Sequence, residues 1–285
     1  MSDEMTARVE ELAALELLAG CSDVDLRRLA ELVEPVRAGA GDILMRQGEP
    51  ADFFLMIAAG AAIVEHRGSN GEVTAIGVDA GRILGEIALL RHSMRVATVR
   101  AVEPLAGWIG GDDAFDQLIE LPGVLETLVR TARQRLAAFI TPIPFHTHDG
   151  SELLLRPVLP GDGVRARSGA VEFSTDTMFR RFMSAREPTQ ALMDYLFEVD
   201  YVDHFVWVVV DGDDEVVADA RFVRDVEDRT VAEVAFLVGD DYQGAGIGSF
   251  LMKATVIAAN VGGVEKFTAR VLSDNLAMRT ILDRY

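Results

Sequence analysis

The sequence predicts a two-domain α+β chain: a small β-barrel or jelly roll with flanking helices, followed by a mixed α/β sheet domain. Three observations predict it. Between Val36 and Trp108, short apolar runs alternate with glycines, and helical spacing lies on either side. The segment Thr141-Pro142-Ile143-Pro144 then stops the second helical stretch and stiffens the chain. Beyond it, strand-like and helical runs alternate, and one strand leads through a glycine-rich turn into a long helix. A length of 285 residues suits two domains. The expected division is 1–141, a linker at 142–150, and 151–285.

The elements follow in order. Val9, Leu12 and Leu15, then Leu26, Leu29 and Leu32, have helical spacing, and Ser22 is placed to cap the second helix. Glycines at 39, 41, 48, 60, 68, 71, 77 and 81 punctuate the strands that follow, and Asn70-Gly71 is a hairpin signal. Phe115 to Leu136 return to helical spacing. In the second half, Leu153–Val158 reads as a strand, and helices follow at about 178–183 and 189–197. Phe205–Val210 and Val216–Val223 form a strand pair around the turn at Asp211–Asp214. Val231–Val238 is a strand, Gly244–Gly248 open a helix to about Asn260, Phe267–Val271 is a strand, and Asn275 begins a last helix.

Charge and cysteine usage narrow the function. The net charge is −19, with 22 acidic against 13 basic residues in 1–141 and 24 against 14 in 142–285. Neither half has the basic excess of a nucleic-acid binder, and no basic helix-turn-helix follows the first domain. The acidic surface gives solubility or favours cationic partners such as lysine-bearing proteins. Cys21 is the only cysteine, so a disulfide framework and a Cys-ligated zinc site are excluded. A reducing, cytoplasmic setting and no metal are expected. No signal-peptide pattern is present, and the longest apolar run, Phe205–Val210, is too short to span a membrane.

The first chemical motif is Gly85-Glu86-Ile87-Ala88-Leu89-Leu90, followed by Arg95-Val96-Ala97. Glu86 can accept a ribose hydroxyl hydrogen. The amides of Ile87, Ala88 and Leu89 open a helix and can point at a phosphate. Arg95 can fork onto that phosphate. The alternative is an ordinary helix start beside a surface arginine. Residues 38–111, with Gly41-Asp42-Ile43-Leu44, Gln47-Gly48-Glu49 and Phe53-Phe54-Leu55-Met56-Ile57, resemble the cyclic nucleotide-binding domain family. That resemblance implies Glu86 on the ribose and Arg95 on the cyclic phosphate, with Gly85, Val96 and Ala97 lining the site. Many members carry Ser, Thr or Ala after the arginine. Val96 offers no hydroxyl for a guanine amino group, which favours cyclic AMP over cyclic GMP.

The second motif follows the strand 231–238: Gln243-Gly244-Ala245-Gly246-Ile247-Gly248-Ser249. Such glycines let amides approach an anion at a helix N-terminus, although a tight strand-to-helix turn has the same look. There is no Walker Lys-Ser/Thr ending. Residues 153–285 resemble the GNAT acetyltransferase family, through Gln243, Gly246 and Gly248, Leu155-Arg156-Pro157 with Asp162, and Asp274-Asn275. The resemblance implies acetyl-CoA as co-substrate, held by Phe236, Leu237 and Val238 along the pantetheine, by 243–249 at the diphosphate, and by Asn275 near the acyl end. It also implies a catalytic glutamate at Glu233. Flanking Ala232 and Val234 suggest partial burial that would raise its pKa, and a salt-bridged strand carboxylate is the alternative. Where members place a tyrosine as general acid, this chain has Leu282, so no acid is assigned. The family continues past the point matching Tyr285, which reads as a missing C-terminal pair of strands.

Other candidates are weaker. His146-x-His148 reads as a loop more than a metal site, and Asp200, Asp203 and His204 as a solvated loop more than a cation site. Arg180, Arg181 and Arg186 read as a charged helix face with a possible role at the coenzyme 3′-phosphate. Arg130, Arg133 and Arg135 are placed to bridge the domains.

The combination is similar to the mycobacterial cyclic-AMP-responsive protein lysine acetyltransferases. The match runs through 133–144, Phe197-Glu198-Val199-Asp200-Tyr201 and His204-Phe205-Val206-Trp207. It implies allosteric control of acetyl transfer by cyclic AMP, with protein lysines, characteristically of acyl-CoA synthetases, as acceptors. The alternatives are a cyclic-nucleotide-regulated small-amine acetyltransferase and a non-catalytic acyl-CoA-binding sensor.

Overall fold

A computed structural model describes residues 3–148, 150–167, 171–184, 186 and 188–285. The chain divides into two compact units, Met1–Arg135 and Leu136–Tyr285.

The first unit opens with helices α1 (Asp3–Ala13) and α2 (Asp23–Leu32). Ser22 caps α2 by accepting from the Asp25 amide, so one early donor of the helix is satisfied. Eight strands follow: β1 (Val33–Ala38), β2 (Ile43–Met45), β3 (Phe54–Ala59), β4 (Ala61–Arg67), β5 (Val73–Asp79), β6 (Ile83–Leu84), β7 (Thr98–Ala101) and β8 (Leu105–Gly110). They form two four-stranded sheets, ordered β1-β8-β3-β6 and β2-β7-β4-β5. The β4–β5 hairpin turns through Asn70-Gly71, with Gly71 at φ +85°. Helix α3 (Glu86–Leu90) lies between β6 and β7. Helices α4 (Asp112–Ile119) and α5 (Val124–Ala138) follow β8. Leu118, Leu128, Leu12 of α1 and Leu26 and Leu29 of α2 pack with Phe54, Met56 and Trp108 in one core, whereas Leu32 is exposed.

The second unit is a six-stranded sheet ordered β14-β13-β12-β11-β10-β9. Its strands are β9 (Ile143–His146), β10 (Glu152–Pro157), β11 (His204–Val210), β12 (Val216–Arg224), β13 (Val231–Val238) and β14 (Lys266–Thr268). Neighbours are antiparallel except β13 and β14. Helices α6 (Asp162–Ala166), α7 (Thr175–Phe182) and α8 (Gln190–Phe197) lie between β10 and β11. Helix α9 (Ile247–Val261) connects β13 to β14, and α10 (Leu276–Leu282) closes the chain order. Ile247 and Leu251 of α9 pack on Leu153, Leu155, Val209 and Val217 of the sheet.

One expectation is corrected here. Residues 143–146, assigned to the linker, form β9 and pair with β10. Pro144 is compatible with this because β9 is an edge strand, where a missing N–H costs no ladder bond.

Candidate functional sites

In the first unit, Gly85 stands between β6 and α3 at φ +89°. A β-carbon there would lie 2.7 Å from Arg95 Nη1, 2.9 Å from Met45 Cε and 3.0 Å from the Phe53 carbonyl. Only glycine lets the chain turn this tightly against the arginine. Glu86, Ile87 and Ala88 therefore start α3 directly beside the Arg95 guanidinium, and all three are buried.

Arg95 is 5% exposed. Its Nη2 donates to the Phe53 carbonyl (2.7 Å) and its Nη1 to the Gly85 carbonyl (3.3 Å). Asp52 lies 3.6 Å away, and the guanidinium sits 4.5 Å from the Phe53 ring centroid. Burial pulls the guanidinium below its usual value, opposed by Asp52, Glu49 and Glu86. Ala97 is buried, and the Val96 carbonyl accepts from His66 Nδ1 at 2.6 Å.

Glu86 is 1% exposed, and sequence reasoning missed its partner. Arg135, in the last turn of α5, donates through Nη1 to Glu86 Oε1 (2.6 Å) and to the Ile83 carbonyl (2.7 Å). The expectation that Arg135 bridges the domains is corrected: its guanidinium is engaged with residues of its own unit. Nothing in the sequence signals a pairing between residues so far apart. The spacing of α5 shows only that Arg135 is one of several arginines on a helix.

In the second unit, a cavity of about 680 Å³ lies along β13, the N-terminus of α9 and α10. Its wall is set by how β13 pairs. Antiparallel pairing to β12 runs from Ala232 to Val238, whereas parallel pairing to β14 covers only Val231–Glu233. From Val234 onward, among the described residues, the outer edge of β13 has no strand partner, so its outward amides, and its outward carbonyls short of Val238, are available to an extended ligand. Phe236, Leu237 and Val238 line the cavity there.

The glycine-rich segment continues that wall. Gln243, Gly244, Gly246, Ile247, Gly248 and Ser249 all line the cavity. Ala245 does not: it packs against the Leu153–Leu155 core. Gly246 caps α9 at φ +91°, leaving the first amides of the helix facing outward. Gln243 Nε2 donates to Thr177 Oγ1 and to the Val238 carbonyl, tying the loop to α7 and β13. Asp240 reinforces the tie. Burial pushes its carboxyl up, but bonds from Ser174 and Thr177 outweigh this and hold it below the usual range.

Glu233 and Asn275 also line the cavity. The expected burial of Glu233 is corrected: its side chain is 51% exposed, with Arg270 at 3.8 Å. The backbone of Glu233 pairs with Val223 of β12 and Thr268 of β14, but the flanking apolar residues do not cover its side chain. Asn275 caps α10 through the Met278 amide. Leu282 packs against the core around Ala259 and Val264. Arg180 and Arg181 line the same cavity, whereas Arg186 is exposed. Burial pulls Arg181 below its usual value.

The remaining candidates resolve otherwise. Asp200 accepts from the amides of Val202, Asp203 and His204, closing a turn. His204 is buried and stacks on Tyr195, and burial and Arg221 lower its pKa to about 4. Among the described residues no cluster of His, Cys, Asp and Glu could hold a metal ion, and no helix is long and apolar enough to cross a membrane.

Comparison with known proteins follows the same division. Residues 35–121 match the cyclic nucleotide-binding domain, and residues 152–285 match the acetyltransferase (GNAT) domain. The whole chain is 54% identical to acetyltransferase Pat of Mycolicibacterium smegmatis, over 86% of that protein. An acetyltransferase of Pseudomonas aeruginosa is 30% identical over 47% of this chain and 73% of its own length. The solved structure of a cAMP-binding acyltransferase from Mycobacterium smegmatis is 52% identical, covers this chain completely and 86% of its own, and superposes with a TM-score of 0.47. The chain belongs to the family of GNAT acetyltransferases that carry a cyclic nucleotide-binding domain.

Proposed function

We propose that this chain transfers acetyl from acetyl-CoA to protein lysine amines under the control of cyclic AMP. The observation that carries the reading is one site of each kind in a single chain. Gly85, Glu86 and Arg95 are gathered at a helix start, and an open β13 edge runs into the α9 amides.

In the first site, Glu86 accepts a ribose hydroxyl, and Arg95 with the amides of Ile87, Ala88 and Leu89 takes the cyclic phosphate. Val96, with no side-chain donor, supports cyclic AMP over cyclic GMP. Glu86 is too covered to meet a ligand while Arg135 holds it, so binding requires α5 to release Arg135. That release is the event that carries the signal along α5. Couplings of this type are worth about 1–3 kcal/mol.

In the second site, the β13 edge takes the amide groups of the pantetheine arm, and the α9 amides take the diphosphate. A lysine amine is mostly protonated at neutral pH, with a pKa of about 10.4. Glu233 removes a proton, directly or through water, which its exposure permits. The amine nitrogen attacks the thioester carbonyl. A β13 amide steadies the oxyanion, the attacking nitrogen gives its second proton to solvent, and the carbon–sulfur bond breaks to release coenzyme A thiolate, which takes a proton from solvent. The acidic surface suits lysine-bearing partners, and acyl-CoA synthetases are the proposed acceptors.

Incubation of an acyl-CoA synthetase with the chain and labelled acetyl-CoA, followed by peptide mass spectrometry, tests the acceptor. Label on specific lysines is expected. Label confined to added small amines would replace the protein acceptor with a small one.

A further inference from the structure

The β9–β10 hairpin puts an imidazole at the diphosphate cradle, a position that neither the glycine-rich motif nor the open β13 edge accounts for. Phe145 of β9 stacks on Phe250 of α9, with centroids 4.4 Å apart and planes at 17°. That contact fixes the hairpin over the start of α9. The turn is closed by bonds from the Thr147 amide and hydroxyl to the Ser151 carbonyl and from the Gly150 amide to the Thr147 carbonyl. His148 stands at the tip. A β-carbon on Gly246 would lie 3.1 Å from its Nε2, and His148 lines the same cavity as Gln243, Gly244 and Ser249.

The composition of the cradle shows why a donor there matters. From Gly239 to Ser249 the loop carries Asp240 and Asp241 and no lysine or arginine. Within the loop itself the α9 amides are the donors offered to a doubly charged diphosphate, and Arg180 and Arg181 reach the same cavity from α7. An imidazole nitrogen beside Gly246, the residue that caps α9, adds a side-chain donor next to those amides.

We propose that His148 is a further co-substrate-binding residue, donating a hydrogen bond to the diphosphate of the acyl-CoA. The inference rests on the reading of 243–249 as the diphosphate cradle.

The test compares acetyl-CoA with S-acetylpantetheine, which lacks the diphosphate, in the full chain and its H148A and H148Q variants. For the unaltered chain, KM is expected to be much lower for acetyl-CoA. H148A should raise the KM for acetyl-CoA about tenfold, the worth of one hydrogen bond to a charged group, with little change in kcat. The KM for S-acetylpantetheine should move less than twofold, and H148Q, which keeps an N–H donor, should recover most of the loss. Equal penalties with both thioesters would overturn the proposal. So would tighter coenzyme A binding by H148A, which would make the ring a plug. If the unaltered chain does not prefer acetyl-CoA, the cradle reading itself falls.

Discussion

Replacing Arg135 with methionine is the most informative single perturbation of the regulatory unit. Methionine keeps much of the aliphatic volume and removes the donors that reach Glu86 and the Ile83 carbonyl. Glu86 is 1% exposed, so its carboxylate would be left buried without its cation. Removing one partner of a buried ion pair costs about 3–5 kcal/mol, mostly through the stranded charge. R135M should therefore lower the ligand-free unfolding free energy by that order in urea titrations. Adding E86Q should return part of the loss, because a neutral amide is cheaper to strand. Cyclic AMP binding should move in the opposite direction. In the unaltered chain the ligand must first displace Arg135, and that conformational cost weakens its apparent affinity. R135M removes the cost, so the dissociation constant from calorimetry should fall at least about fivefold, the lower bound of typical coupling energies. The cyclic-AMP-free transfer rate should rise with it. Unchanged or weaker cyclic AMP binding in a folded R135M would refute the latch.

Other predictions follow from the same geometry. R95A should abolish the response to cyclic AMP and weaken its binding at least about a hundredfold, since two charge-assisted bonds are lost; binding is read by calorimetry and folding by the thermal shift that coenzyme A gives. G85A should destabilise the first unit by about 1–3 kcal/mol, because alanine is strained at this φ and its β-carbon meets Arg95; thermal melts should show the loss alongside weaker cyclic AMP binding. E233Q should lower kcat by about a hundredfold or more while the coenzyme A dissociation constant holds; full activity would remove Glu233 as the base. His204 should make the second unit acid-sensitive. Its pKa is about 4 when folded against 6.5 in the unfolded chain, so the unfolded state takes up the proton first. The stabilisation is complete above pH 6.5 and declines as pH falls toward 4, by about 3 kcal/mol in all. Denaturant titrations across that range should show the slope, and H204F, which keeps the stack on Tyr195, should remove it.

What was legible in the sequence was the chemistry contained in continuous stretches. Gly85-Glu86 and Arg95 are close in the chain, and α3 keeps them close in space. The glycine-rich turn lies between β13 and α9 in the chain, so its place at the cavity followed from its order in the sequence. What depended on distant pairing was not legible. Arg135 meets Glu86 only because α5 folds back onto the strands of its own unit. His148 meets Gly246 only because Phe145 finds Phe250. Helix α6, at Asp162–Ala166, is too short to leave a periodic pattern. Two prolines disguised β9, since a proline argues against a strand unless the strand lies at a sheet edge. The burial inferred for Glu233 failed for a related reason. Alternation predicts which face a residue occupies, but not whether another element covers that face.

The most direct test of the central claim is the initial rate of acetyl transfer to an acyl-CoA synthetase by the full chain, with and without saturating cyclic AMP, beside R95A. The account predicts a rate that depends on cyclic AMP in the unaltered chain and not in R95A. An equal rate with and without the nucleotide, under conditions where calorimetry shows it bound, would contradict the claim that the first site controls the second.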